Sequence, residues 1–362
     1  MDTLYRKLLL GFAVVLLTNV VAAQEKVSKK ISETYAMSNA GEMHLNNKYG
    51  DITINGWSKN SVSIQVDITV THKKRDNAKS LLDRIGTNIK AMGDYITVDS
   101  EISEKSDGFF AKYFNKANPF DFDRSNVQIN YTIYLPLNSE LNITNKFGDV
   151  VIEDWTGKLK LEVQHGDIWI NKNLNNADVD LRYGKLKAKD INYGNIRLKN
   201  GSVALSKSKD LRLTSSGSYI SMDEVSALEI YSSKDEIDIE RVSTVTGSLE
   251  FTNMQLENLE DEIDLVMKIA DFKVSNINSA DAKINIHQES SEIVLNIHDF
   301  SFQFEATLEE GLLRLPKSFQ DVETKMLETG KRMREIKASY GKDKAGTISF
   351  TGEKGVILLK DI

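Results

Sequence analysis

Between Leu141 and about Leu308, apolar and polar residues alternate in short runs such as Val150/Ile152 and Leu159/Leu161/Val163, and a polar turn separates the runs. Period-two alternation predicts strands with one buried face. Set one beneath another, NKFGDVVIEDWTGKLKLEV, QHGDIWINKNLNNADVDL, RYGKLKAKDINYGNIRL, KNGSVALSKSKDLRL and SSGSYISMDEVSALEI repeat a single pattern. Its glycines at 148, 166, 184, 201 and 217 lie 18, 18, 17 and 16 residues apart. A unit this short cannot bury its apolar face alone and must do so against its neighbours, which predicts an all-β chain forming a β-solenoid. Each coil takes about 16 to 18 residues and two strands. Val, Ile and Leu point inward as ladders, and Lys, Asp, Glu, Thr and Ser point to water. The later segments SKDEIDIERVSTVTGSLEF, LEDEIDLVMKIADFKVSNI and DAKINIHQESSEIVLNI lose the glycine, keep the alternation and are expected to be degenerate coils.

A first copy of the unit stands apart: NKYGDITINGW, Asn47 to Trp57, returns as NKFGDVVIEDW, Asn145 to Trp155, with six of eleven residues identical. Between the copies, Leu81, Leu82, Ile85, Ile89 and Met92 share one helical face and predict one amphipathic helix over about 76–92, with Asp76 as N-cap and Gly93 as stop. A polar loop at about 105–124 then carries Phe109, Phe110, Tyr113, Phe114, Phe120 and Phe122. The expected organisation is a leader at 1–23, an N-terminal coil with helix and aromatic loop at 24–140, repeats at 141–310 and a C-terminal cap at 311–362. Solenoids need such caps because exposed terminal strands recruit other chains. In the C-terminal cap, Phe319, Val322, Met326 and Met333 suggest a partly helical stretch, and GTISFTGEKGVILLKDI ends the chain in two strands.

Composition adds a compartment. Arg6 and Lys7 precede the apolar run LLLGFAVVLL, and Val21-Ala22-Ala23 supply small residues before Gln24, the order of a secretory signal cleaved near Ala23. The run is short for a membrane span, so no stable span is expected after cleavage. With no cysteine in the chain, disulfides, thiolate metal sites and a lipid-modified cysteine anchor are not expected. The formal charge of -7 becomes about -8 once Asp2, Arg6 and Lys7 leave with the signal, which argues against nucleic acid as a partner.

The chain resembles a bacterial family of exported, adhesin-like proteins with β-strand repeats, catalogued as a domain of unknown function. The resemblance rests on the signal, the segment after the first Gly-Asp-Ile, the passage YTIYLPLNSELNITNKFGDVVIEDWTGKLKLEVQHGDI and the closing GTISFTGEKGVILL. It implies a β-solenoid at or outside the cell envelope and brings no catalytic residue.

Gly50-Asp51, Gly148-Asp149 and Gly166-Asp167 could align carboxylates for calcium, but GGxGxDxUx is absent and Lys185, Asn195 and Ser202 stand where later coils would need Asp. We read these pairs as a structural turn motif, with no metal and no cofactor. Stacked Asp149 and Asp167 could also serve glycoside hydrolysis, which needs two carboxylates in a groove, one with a raised pKa. No His, Arg or Tyr recurs beside them, the five histidines are scattered, and no catalytic residue is expected. Trp57, Trp155 and Trp169 are taken as structural. The six rings of the aromatic loop, with Lys112 and Lys116 among them, either pack onto the fold or form a contact surface. The leading expectation is a non-enzymatic, exported binding protein with a glycan or envelope protein as partner. The alternatives are an envelope sensor or regulatory partner and a glycan-active β-helix enzyme.

Overall fold

A computed structural model describes residues 24–103 and 126–362, so the expected leader and all six rings of the aromatic loop lie outside the described residues. The described chain is a β-solenoid of two stacked sheets. From Ile52 the back-sheet ladder runs through Val150, Ile168, Leu186, Val203, Ile220, Ile237, Met254 and Phe272 to Ile293, in parallel register. The front sheet answers with Leu161, Val179, Ile196, Leu213 and Ile230. All of these side chains are buried, each contributing roughly 1.5–3 kcal/mol of transfer free energy. Ile168 faces Leu186 at a repeat of 18 residues, and Leu186 faces Val203 at 17.

One edge of the stack is a bend and the other a tight turn. The sequence suggested two strands and a polar turn per coil, but Lys185–Lys199, Ser202–Ser216, Tyr219–Ser233, Glu236–Glu250 and Asn253–Lys268 are continuous strands that serve both sheets. The reason is visible at the bend: buried Ile191, Val225, Val242 and Leu259 carry the core around it. Outside, Lys207 pairs with Glu224 at 2.8 Å and Arg241 with Glu260 at 3.5 Å, one coil to the next.

The N-terminal end departs from the expectation. The helix covers only Arg75–Leu82, its N-cap is Lys74 rather than Asp76, and Ile85–Met92 is a strand antiparallel to Tyr95–Ile102. Ile85, Ile89 and Met92 fit a helical face by spacing, but cross-strand pairing decides, and Gly93 (φ 62°) sits in the hairpin turn instead of stopping a helix. Glu25–Ala36 pairs antiparallel with Ser61–His72, which pairs with Val127–Pro136, extending the back sheet. Ala78 and Leu82 bury the helix against this end, and the Lys29 ammonium donates to the Ile85 carbonyl.

The C-terminal end departs in a second way. The stretch expected to be partly helical is a hairpin, Gln320–Glu328 with Met333–Tyr340, added antiparallel to Phe302–Glu309. Phe319 and Met326 fit a helical period, but Phe319 is used as a plug against Phe302, Phe304 and Tyr340. The closing strands Gly346–Glu353 and Val356–Lys360 form as expected, yet not at the end of the stack. They insert as a whole coil between Lys283–Glu289/Glu292–Asn296 and Phe302–Glu309/Leu312–Arg314. Residues 311–362 are thus a cap plus an interior coil.

Candidate functional site

The tight-turn edge holds every member of the Gly-Asp motif. A Cβ on Gly148 would lie 2.0 Å from the Gly50 carbonyl oxygen, and one on Gly166 would lie 1.9 Å from that of Gly148. Successive coils therefore touch through backbone, at a distance no side chain permits. The aspartates link the same coils: the Asp149 N–H donates to Asp51 Oδ1 (2.9 Å), Asp167 N–H to Asp149 Oδ1 (2.8 Å) and Lys185 N–H to Asp167 Oδ1 (2.8 Å). Asn145 Nδ2, which has Asn47 as its counterpart in the first copy, donates to the carbonyls of Gly50 (3.1 Å) and Gly148 (2.9 Å). This accounts for the identity of the two NK-aromatic-GD copies without a ligand.

The copies differ at their tryptophans. Trp155 is fully buried, with Nε1 3.4 Å from Ser139 Oγ, whereas Trp57 is half-buried and donates to the Ser61 carbonyl at 2.6 Å. Trp169 faces outward in the back sheet beside Val151 and Lys187.

Just before Gly166, Gly184 and Gly201 the chain turns in the left-handed region, at His165 (φ 57°), Tyr183 (58°) and Asn200 (50°). Gly217 (63°) belongs to this column, one place earlier than its alignment with Gly201 suggested, because Ser202 pairs with Tyr219 at a repeat of 17. The column continues through Lys234 (61°), Phe251 (51°) and Ile269 (47°). At its start the rings stack: Tyr49 on Phe147 (5.7 Å), Phe147 on His165 (5.3 Å) and His165 on Tyr183 (4.8 Å), all within 12° of parallel. Stacked this way the inner rings spend their faces on one another, so they form a structural ladder. The sequence reading missed it, although the signal was available as YG, FG, HG and YG at the coil repeat.

Beyond Tyr183 the ladder lapses. Asn200, Gly217 and Lys234 replace the rings, and an open groove of about 880 Å³ follows, lined by Asn200, Tyr219, Lys234, Glu236, Phe251 and Ile269 among others. Its floor is polar and buried. Asp235, where earlier coils have glycine, accepts from Ser215 Oγ (2.5 Å), Ser232 Oγ (2.6 Å) and the Ser218 N–H (2.7 Å), and Thr252 bonds Ser232 at 2.9 Å. Its wall is unusual. A left-handed backbone costs an L residue about 1 kcal/mol and is a genuine outlier for a β-branched one. Phe251 and Ile269 carry that cost while 46% and 49% exposed. Stability alone would place glycine or asparagine there, as it does at Gly217 and Asn200. Strain held on a rigid scaffold, with apolar surface offered to solvent, marks this groove as the candidate binding site.

The family comparison agrees with the architecture. The family model for Toastrack DUF4097 matches residues 42–346, and the chain belongs to that family. No functionally curated protein matches it. Among solved structures, it is similar to one described as a "putative adhesin" from Parabacteroides merdae (10% identity, 74% of this chain and 93% of that one, TM-score 0.33). It is also similar to one described as a "putative lipid binding protein" from Parabacteroides distasonis (13%, 91% and 96%, TM-score 0.26). A third is described as a "putative cell adhesion protein" from Clostridium sporogenes (11%, 92% and 100%, TM-score 0.18). TM-scores this low say nothing of function. Among the described residues no helix is long and apolar enough to cross a membrane.

Proposed function

We propose that this protein is a non-enzymatic, adhesin-like binding module, exported to the periplasm or cell surface, that contacts a glycan or an envelope protein through the groove beside Phe251 and Ile269. The observation that carries the reading is the strained, half-exposed pair itself, which core packing does not need. Phe251, Ile269 and Tyr219 offer apolar faces to a sugar ring or a partner's side chain, and Asn200, Lys234 and Glu236 offer hydrogen bonds around them. The aromatic segment with Phe109, Phe110, Tyr113, Phe114, Phe120 and Phe122 is a second contact surface in this proposal. Export rests on the leader pattern, and strand Glu25–Ala36 starts two residues after the expected cleavage at Ala23.

The engagement of Asp149 and Asp167 by the backbone of the next coil supports scaffold over catalysis. The test is binding of the mature chain to a panel of immobilised bacterial polysaccharides, beside recovery from envelope extracts. Glycan retention that Phe251→Asn abolishes supports the proposal. Recovery of a single envelope protein, lost in Phe251→Asn, would make that protein the partner of the groove; recovery that Phe251→Asn leaves unchanged would move the protein to the sensor or regulatory reading through another surface. Depolymerisation of a polysaccharide, lost in Asp149→Asn or Asp167→Asn, would replace it with the enzyme reading.

A further inference from the structure

The front sheet ends at the C-terminal side in Gln320–Glu328, a strand exposed at every position. Its outer backbone edge faces no other described strand. It carries Val322 and Met326, 54% and 55% exposed, and an exposed Leu327. Register shifts interrupt its pairing with Met333–Tyr340 on either side of 323–326, leaving those four residues as a regular segment. An edge of this kind is a template for another strand.

The geometry points to a second copy of this chain as the occupant, its own Gln320–Glu328 pairing antiparallel across a two-fold axis centred on Thr324. The charges select this register. Centring on Glu323 or on Lys325 sets like charges against each other. Centring on Thr324 sets Glu323 opposite the partner's Lys325, Lys325 opposite the partner's Glu323, and Val322 opposite the partner's Met326. The sheet already prepares this pattern: Glu305 lies 3.6 Å from Lys337, Lys337 faces Glu323, and Glu335 faces Lys325. Alternation of sign along these columns then runs unbroken from one copy into the next, and opposite charges across strands are the stabilising arrangement. Both apolar side chains leave water in the same step, on the face that Thr324 shares with buried Ile336. The product is a rod of two solenoids joined at their C-terminal ends, with both N-terminal caps outermost.

Sedimentation equilibrium of the mature chain at on the order of 0.1 mM suits an interface at the small end of the size range. The expected mass is twice that of one chain. Lys325→Glu and Glu323→Lys are each expected to sediment as monomers. An equimolar mixture of the two should regain the double mass, because every opposed pair is again of opposite sign. Both changes also weaken the hairpin pairing with Glu335 or Lys337, so a second measurement stands apart from charge. The chain has no cysteine, and Thr324→Cys places two sulfurs across the axis at disulfide range. Mild oxidation should link that variant into dimers and leave Met326→Cys unlinked, since its equivalent in the partner lies about 13 Å away along the strand. A wild-type monomer at every concentration, or equal linking at both positions, would overturn the proposal.

Discussion

The turn edge solves one problem twice. From Gly50 to Gly201 adjacent coils approach through absent side chains, and from Tyr49 to Tyr183 the residue before each glycine carries a ring that stacks on its neighbours. From Ser218 to Ser291 the same positions, apart from Ala270, carry buried hydroxyls and a carboxylate that hydrogen-bond across coils, and the left-handed residues no longer stack. The first half uses its edge for cohesion. The second half takes its cohesion from the interior, which leaves its outer edge, with Phe251 and Ile269, available for contact.

The comparison breaks most sharply at Gly166. Gly166→Ala forces a Cβ to within 1.9 Å of a backbone oxygen, and a cost of about 3 kcal/mol in urea unfolding is expected, while Gly330→Ala, with nothing within 4 Å, stays near neutral. Next comes Asp235→Ala, which strands the buried Ser215 hydroxyl and the Ser218 N–H and leaves Ser232 with Thr252 alone; about 2 kcal/mol should be lost. Asp167→Asn should change far less, because its Oδ1 acceptor is kept. His165→Asn preserves a residue that tolerates the left-handed turn and removes one of the two inner rings of the stack, for a loss of about 1 kcal/mol.

The smallest effect belongs to the inserted C-terminal coil, which also relies on side chains. Asp361 accepts from the Tyr340 hydroxyl at 2.6 Å and lies 3.1 Å from His298 Nδ1. The hydrogen bond to Asp361, with Asp299 adding charge, raises the His298 pKa above its ordinary 6.5. Its stabilisation is therefore full below pH 6.5 and fades as pH rises through the raised value. Tyr340 and His298 hold Asp361 below 3.8, so that contribution fades only in acid. The melting-point difference between wild type and His298→Gln should shrink from roughly pH 6 to pH 9, by a small amount because the groups are exposed.

Much of this architecture was legible in the residues. The alternation of Val150/Ile152 and Leu159/Leu161/Val163 identifies the ladders, since period two on a buried face leaves little choice of register. Ile85, Ile89 and Met92 misled because their spacing suits a helix as well as a strand, and the pairing with Tyr95–Ile102 decides between them. The insertion of Gly346–Lys360 is set by strand partners 64 residues away, which no local pattern encodes. The groove was hidden for a third reason. The glycine that marks the turn shifts by one place at Gly217 and then vanishes, so Phe251 and Ile269 read as ordinary strand-end residues rather than as left-handed, exposed ones.

In the proposed function Phe251 and Ile269 are kept for contact and not for packing. The direct measurement is the double variant Phe251→Asn/Ile269→Asn, followed by urea unfolding and by retention on immobilised envelope polysaccharide. Relief of two left-handed strains offsets the lost contacts, so stability should stay within about 1 kcal/mol of wild type while retention is abolished. A loss of several kcal/mol with retention unchanged would return the groove to the scaffold.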